Sequence, residues 1–273
     1  MRSWTAAADG FFLSMPILWR LAATLLIIAL MAALARTKRF LTPGGTAAAA
    51  VLGTAVMYIG GISGFVMLLF FFLSASVTGH LLADGSGVEA KGGERDMMQV
   101  AANGLPAAIA LVLFRISPYP EVFLTAFAAS LAEAAADTFS GMIGRLSHRD
   151  PVSIITFTRV QRGISGGVTV LGTAAGAAAS AVMAFLFLGT FGCSLPEFLI
   201  TASSGFLGSV LDSFLGASVQ VRYRRPDGSL TEREWEGRER NERARGIRWI
   251  DNDAVNLISG LSAMALASAL AML

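Results

Sequence analysis

Charge is scarce in this sequence: 15% of its 273 residues are Asp, Glu, Lys or Arg, where a soluble domain carries about 25%. Cysteine and histidine are scarcer still, with Cys193 alone and only His80 and His148. That inventory excludes a disulfide framework and any zinc cluster built on Cys/His spacing. In place of charge there is hydrocarbon. Hydrophobic residues make up 54% of the chain, more apolar surface than a soluble domain of this length can hide.

The sequence pI of 9.0 invites a nucleic-acid reading, but the excess is only two positive charges. The basic residues also flank apolar runs, which is the signature of membrane topology. The partner these features imply is a lipid bilayer and not a nucleic acid. The first apolar run, Ile17 to Leu34, follows Asp9 and precedes Arg36, Lys38 and Arg39. A cleaved signal peptide has the opposite polarity.

A membrane helix needs roughly 20 mostly apolar residues. Eight stretches qualify, near residues 14–35, 44–60, 64–83, 98–115, 120–143, 166–190, 196–218 and 253–272. The expected fold is therefore all-α, a single integral membrane domain over residues 1–273 built as a polytopic bundle. Short connections (Gly60-Gly61, Ser117-Pro118, Thr190 to Pro196) alternate with longer ones at 36–43, 84–97, 144–165 and 219–252. The longer set holds every Lys and Arg except Arg2, Arg20 and Arg115. The positive-inside rule then makes those four connections cytoplasmic and sends both termini outward, in the simplest case across a prokaryotic cytoplasmic membrane. In the charged segment 219–252, Glu234 with Arg238 and Glu239 with Arg243 have the i,i+4 spacing that predicts a solvated helix. Paired small residues, Gly60 with Gly64 and Gly172 with Gly176, predict close helix packing.

Ionisable groups inside a membrane helix are costly and normally face a cavity or a partner. Glu133 and Asp137 lie one turn apart in the fifth stretch, and Asp212 sits between Ser209 and Ser213 in the seventh. Asn103 occupies the fourth, while Asn252, Asp253 and Asn256 open the eighth. Counting from Arg95, Arg145, Arg222 and Arg248 places Asn103, Asp137, Asp212 and Asn256 at one common depth, roughly 12–15 Å inside the basic loops. Carboxylates gathered at close range need a cation or proton among them. Asp137 and Asp212, with Asp253 and Glu133 beside them, are therefore candidate Mg²⁺ ligands, since that ion commonly links carboxylates to substrate phosphates. Arg95, Arg162 and Lys91 are candidate phosphate contacts. Ser165, Gly166 and Gly167 are a candidate anion site if the sixth helix begins there with its backbone N–H groups unpaired.

Several motifs, taken together, are specific. Arg95-Asp-Met-Met-Gln-Val-Ala-Ala-Asn-Gly104, Asp137-Thr-Phe-Ser-Gly-Met-Ile-Gly144, Arg162-Gly-Ile-Ser-Gly-Gly-Val168, Gly208-Ser-Val-Leu-Asp-Ser-Phe214 and Asn252-Asp-Ala-Val-Asn256 resemble, in order, the transmembrane protein 19 family, long called domain of unknown function 92. The resemblance implies the chemistry of that family's plant members, phytyl-phosphate kinases. These transfer a phosphoryl group from a nucleoside triphosphate to an isoprenoid monophosphate. Kinship with other polyisoprenoid kinases suggests CTP as the donor. One position departs from the family: Met142 stands where members often carry Glu, and Glu133 is the residue available to substitute for it. Two other chemistries share these features, an ion-coupled transporter and a cytidylyltransferase making a CDP-lipid. A transporter wants its site at the bilayer midplane, whereas these polar groups cluster toward one side.

Overall fold

The computed structural model describes residues 3–82 and 94–273. It is a helical bundle: α1 (Ala6–Ser14), α2 (Ile17–Thr37), α3 (Pro43–Leu82), α4 (Met97–Ile116), α5 (Pro120–Gly144), α6 (Val170–Phe191), α7 (Leu195–Ser218) and α8 (Asn252–Ala271). Seven of these, all but α1, are long and apolar enough to cross a membrane.

Helix α3 is 40 residues long, about 60 Å if straight and twice the hydrocarbon thickness of a bilayer. It is not straight. Gly61 has φ 69° and ψ −163°, a conformation open to glycine and costly for other residues. A Cβ on Gly53 would lie 3.9 Å from Phe65 Cε2, although twelve helical residues would hold them about 18 Å apart. The chain therefore doubles back, giving a first limb over residues 43–60 and a second over 62–82. Counting the limbs separately yields the eight passes expected from the sequence.

The centre of the bundle is α5, whose residues from Thr125 to Ala136 are all buried. Its run of alanines leaves room for α4, α6, α7 and α8 to pack closely around it, as a helix apolar on every side requires. Glycines on the neighbours complete the fit. A Cβ on Gly172 would meet Ser140 O at 2.7 Å, and one on Gly176 would meet Ala136 O at 3.0 Å. The Gly172–Gly176 pair is thus a packing device, as its spacing predicted.

The longer connections gather at one end. Backbone bonds from Arg95 N to Phe40 O and from Thr42 N to Arg95 O, both 3.0 Å, splice the connection before α4 to the start of α3. Between α5 and α6, β1 (Val152–Ser153) pairs with β2 (Gly167–Val168). The segment 219–252 is not the helix its charge spacing suggested. It forms β3 (Arg222–Arg224), β4 (Leu230–Thr231), β5 (Trp235–Glu236), β6 (Glu239–Arg240) and β7 (Glu242–Arg245). Gly228 (φ 85°) and Gly237 (φ 63°) make tight turns that end any helix. Glu234 accordingly pairs with Arg240 at 2.8 Å rather than with Arg238. Arg222 and Arg245 anchor this sheet by donating to Gly216 O (2.9 Å) and Ala217 O (2.8 Å) at the C-terminus of α7, where cations are favoured.

Candidate functional site

At the end where the connections gather, a cavity of about 680 Å³ opens between the helices. The polar residues that the sequence placed at one depth do converge on it: Asn103 from α4, Asp137 from α5, Asp212 and Ser213 from α7, and Asn252 and Asn256 from α8 all line its wall.

The carboxylates form its chemical centre. Asp137 and Asp212 stand within hydrogen-bonding reach of each other, although α5 and α7 are separated by the whole of α6. Gly208 permits this approach, since a Cβ there would lie 2.5 Å from Glu133 Cγ. Asp212 is 6% exposed and Glu133 2%. Ser259 Oγ lies 2.7 Å from Glu133 Oε1, 3.2 Å from Asp212 Oδ2 and 3.0 Å from Asn256 O. One hydroxyl has one proton, so it cannot satisfy both carboxylates at once. Asn256, with its amide nitrogen turned toward the carboxylate, donates to Asp212 Oδ2 at 3.0 Å and to Asn252 O at 3.2 Å. Among the described residues no Lys or Arg pairs with Glu133 or Asp212. Acceptors therefore outnumber donors around Asp212, an arrangement that calls for a proton or a cation.

Cations line the mouth. Arg95 borders the cavity and makes no ion pair among the described residues; burial lowers its guanidinium pKa from the ordinary value. Arg162 also borders the cavity but is committed to the loop before it, donating to Ser147 O (2.9 Å), His148 O (3.4 Å) and Asp150 Oδ1 (3.3 Å). It braces that loop as well as facing the cavity. Lys91 lies outside the described residues.

The anion site expected at Gly166 and Gly167 takes another form. Helix α6 begins at Val170, and its first turn is capped by Thr169, whose hydroxyl accepts from Gly172 N at 3.0 Å. Gly166 instead has φ 79° in the turn before β2, packed so tightly that a Cβ would lie 2.4 Å from Ala217 N. The helix thus starts three residues later than Gly167, and the two glycines form part of the cavity wall as a tight turn. Ser165 stays at the site, its N–H donating to Glu232 Oε1 at 2.8 Å and its hydroxyl to Asn252 Oδ1 at 3.4 Å.

Three other candidates stand back from the wall. Ser209 donates to Phe206 O of its own helix at 2.9 Å, Asp253 follows Asn252 on another face of α8, and Glu133 is one turn deeper than Asp137; none lines the cavity. Among the described residues no three His, Cys, Asp or Glu side chains are grouped as a metal cage. Sequence reasoning missed Ser259 and Glu232. The signal for Ser259 was its position three residues after Asn256, on the same helical face; Glu232 was hidden in a segment read as a remote helix.

Known proteins align with this sequence. Residues 26–264 match the family model described as integral membrane protein DUF92. The chain is 30% identical over 214 residues to an uncharacterized membrane protein of Methanocaldococcus jannaschii, covering 75% of this chain and 85% of that one. It is 27% identical over 233 residues to the chloroplast protein VTE6 of Arabidopsis thaliana, covering 80% and 62%. Protein PGR of the same plant is 31% identical over 201 residues, covering 62% and 70%. No solved structure matches.

Proposed function

The chain belongs to the DUF92 family of integral membrane proteins, and from that premise we propose that it is an isoprenoid-monophosphate kinase, transferring a phosphoryl group from a nucleoside triphosphate to give the lipid diphosphate. The observation that carries this reading is the meeting of Asp137 and Asp212 in one cavity that Arg95 and Arg162 border at its mouth. The mouth faces the cytoplasm by the positive-inside rule, where a soluble nucleotide meets a membrane-held lipid phosphate.

The residues suit the reaction for a physical reason. A phosphate monoester has a second pKa near 6, so its oxygen is already an ionised nucleophile at neutral pH. No histidine base is needed. The protein has to align two mutually repelling anions and neutralise charge on the group in transit, which is the division of labour in phosphoryl transfer. Arg95 contacts phosphate, and Arg162 holds the loop that carries Ser165 against Asn252.

The donor set fits Mg²⁺ better than a closed cage: two carboxylates on facing helices, with the remaining positions left to phosphate and water. Asp137 and Asp212 would hold the ion, with Glu133 and Ser259 behind them fixing Asp212. An ion held by these two carboxylates would supply positive charge to the phosphates in the cavity. Met142 lines the cavity where family members often carry Glu, and Glu133 adds its charge to that of Asp212 from behind the wall.

The test is a product assay on detergent-solubilised protein, with isoprenoid monophosphates against ATP, CTP, GTP and UTP in the presence of Mg²⁺. The reading expects a lipid diphosphate and a nucleoside diphosphate, with CTP preferred. Release of pyrophosphate would assign a cytidylyltransferase instead. Unchanged triphosphate with every lipid would remove the kinase reading.

A further inference from the structure

A second cavity, of about 280 Å³, lies where the connection between α5 and α6 meets the β3–β7 segment. Ser165, Gly166 and Gly167 form a wall common to the two cavities. Arg95, Asp137 and Asp212 do not border the second one, and Arg222 and Arg245 do not border the first. Among its lining residues Thr156 and Arg245 are exposed, whereas Ile164, Ala217 and Arg222 are buried, so it runs from the protein surface inward.

Its charge is one-sided. Arg222 is 6% exposed, yet among the described residues no carboxylate forms an ion pair with it or with Arg245. Arg222 commits Nη2 to Ser165 O and Gly216 O, and Arg245 commits Nη2 to Ala217 O at 2.8 Å. A guanidinium has five N–H groups, and the buried Nε of Arg222 has no partner. The two arginines stand directly opposite each other in the β3–β7 pair, a placement that is unfavourable for like charges. Burial, and then the charge of Arg245, push the Arg222 guanidinium down to about 10, so it is still protonated at neutral pH. Glu232 also acts on Arg222, but it accepts from Ser165 N and borders the main cavity, across the shared wall. The Ser153 hydroxyl, which also lines the second cavity, accepts from Ile155 N and Thr156 N at 3.3 Å each, leaving its own proton available to donate.

We propose that this second cavity binds a phosphate-class oxyanion, carried by a soluble ligand or by a lipid headgroup, between Arg222 and Arg245 with Ser153 Oγ as a further donor. Paired guanidiniums with unspent N–H groups are the chemistry that recognises such an anion. The carbonyls that end α7 would repel it, but the same two arginines already occupy them. Ile155, Val160 and Ile164 supply an apolar side, which lowers the local dielectric and strengthens the attraction. The site is distinct from the carboxylate cavity and does not rest on the kinase reading.

The experiment uses the full-length protein in detergent with Cys193→Ser and Thr156→Cys, which places one thiol at the exposed rim. Its rate of modification by N-ethylmaleimide, an uncharged reagent, is followed as inorganic phosphate replaces chloride at constant ionic strength. The rate should fall by about threefold or more and level off once phosphate is at about ten times its dissociation constant. Arg95→Gln should leave this protection intact, Arg245→Gln should abolish it, and Ser153→Ala should shift it to higher phosphate. Protection by free phosphate assigns a soluble ligand; protection only by phosphatidic acid in mixed micelles assigns a lipid headgroup. Protection that survives Arg245→Gln, or that Arg95→Gln removes, would place the anion elsewhere and overturn the proposal. A reactive thiol that neither ligand protects would overturn it as well.

Discussion

Two aspartates at opposite ends of the bundle, Asp9 half-buried and Asp212 buried, meet opposite conditions. Asp9, in α1, faces the turn between the limbs of α3. Its Oδ1 accepts from Ile62 N (2.6 Å) and Ser63 N (3.2 Å), and its Oδ2 accepts from the Ser63 hydroxyl. Those N–H groups are unpaired because the helix has just restarted at Gly61, and the positive end of its dipole favours a carboxylate. Thr5 adds a bond to Thr190 O at 2.7 Å, tying α1 to the end of α6. Asp9 thus has donors for both oxygens and serves as a cap supplied by a neighbouring helix. Asp212 has one shared hydroxyl proton, one amide and two further carboxylates nearby. Donors in surplus make a staple; acceptors in surplus beside an open cavity make a binding site.

Neutralising a carboxylate should therefore have different consequences at the two ends. The largest effect is expected from Asp137→Asn or Asp212→Asn, each lowering kcat by about a thousandfold through several kcal/mol of lost charge stabilisation, with the melting temperature held near wild type. Near-normal turnover in both purified variants would break the contrast. Asp9→Ala should do the reverse, leaving kcat unaltered while lowering stability by about 2–4 kcal/mol, as the N–H groups of Ile62 and Ser63 lose their acceptor; denaturation in detergent reads this directly. Ser259→Ala is intermediate. It strips a donor from Glu133 and Asp212 together, and a roughly tenfold loss of kcat, about 1.4 kcal/mol, is expected, recoverable with Ser259→Thr. The smallest effect belongs to Arg240→Ala, which removes an exposed pair with Glu234 worth under ~1 kcal/mol; a larger loss would show the β3–β7 segment to be coupled to the bundle beyond its anchors at Arg222 and Arg245.

The sequence was legible wherever one physical rule dominated. Apolar length marked the spans, Gly60-Gly61 marked the reversal, and counting inward from the arginines placed Asn103, Asp137, Asp212 and Asn256 on one level; all four line one cavity. It was illegible where two rules competed. Glu234 and Arg238 satisfy helical spacing, but Gly228 and Gly237 adopt positive φ, and the turns won. Gly166-Gly167 suggested a helix start, yet Thr169 is the better cap and the helix begins after it. Asp9 looked like a flanking charge because its partners, Ile62 and Ser63, become donors only once α3 breaks.

The account depends on Asp137 and Asp212 facing each other. In a Cys193→Ser background, Asp137→Cys and Asp212→Cys can be combined and treated with a short bifunctional thiol reagent, then cleaved by protease in the 145–165 connection. The account predicts that the two fragments stay joined on a denaturing gel until the link is reduced. Fragments that separate, although each cysteine reacts with a monofunctional reagent, would contradict it.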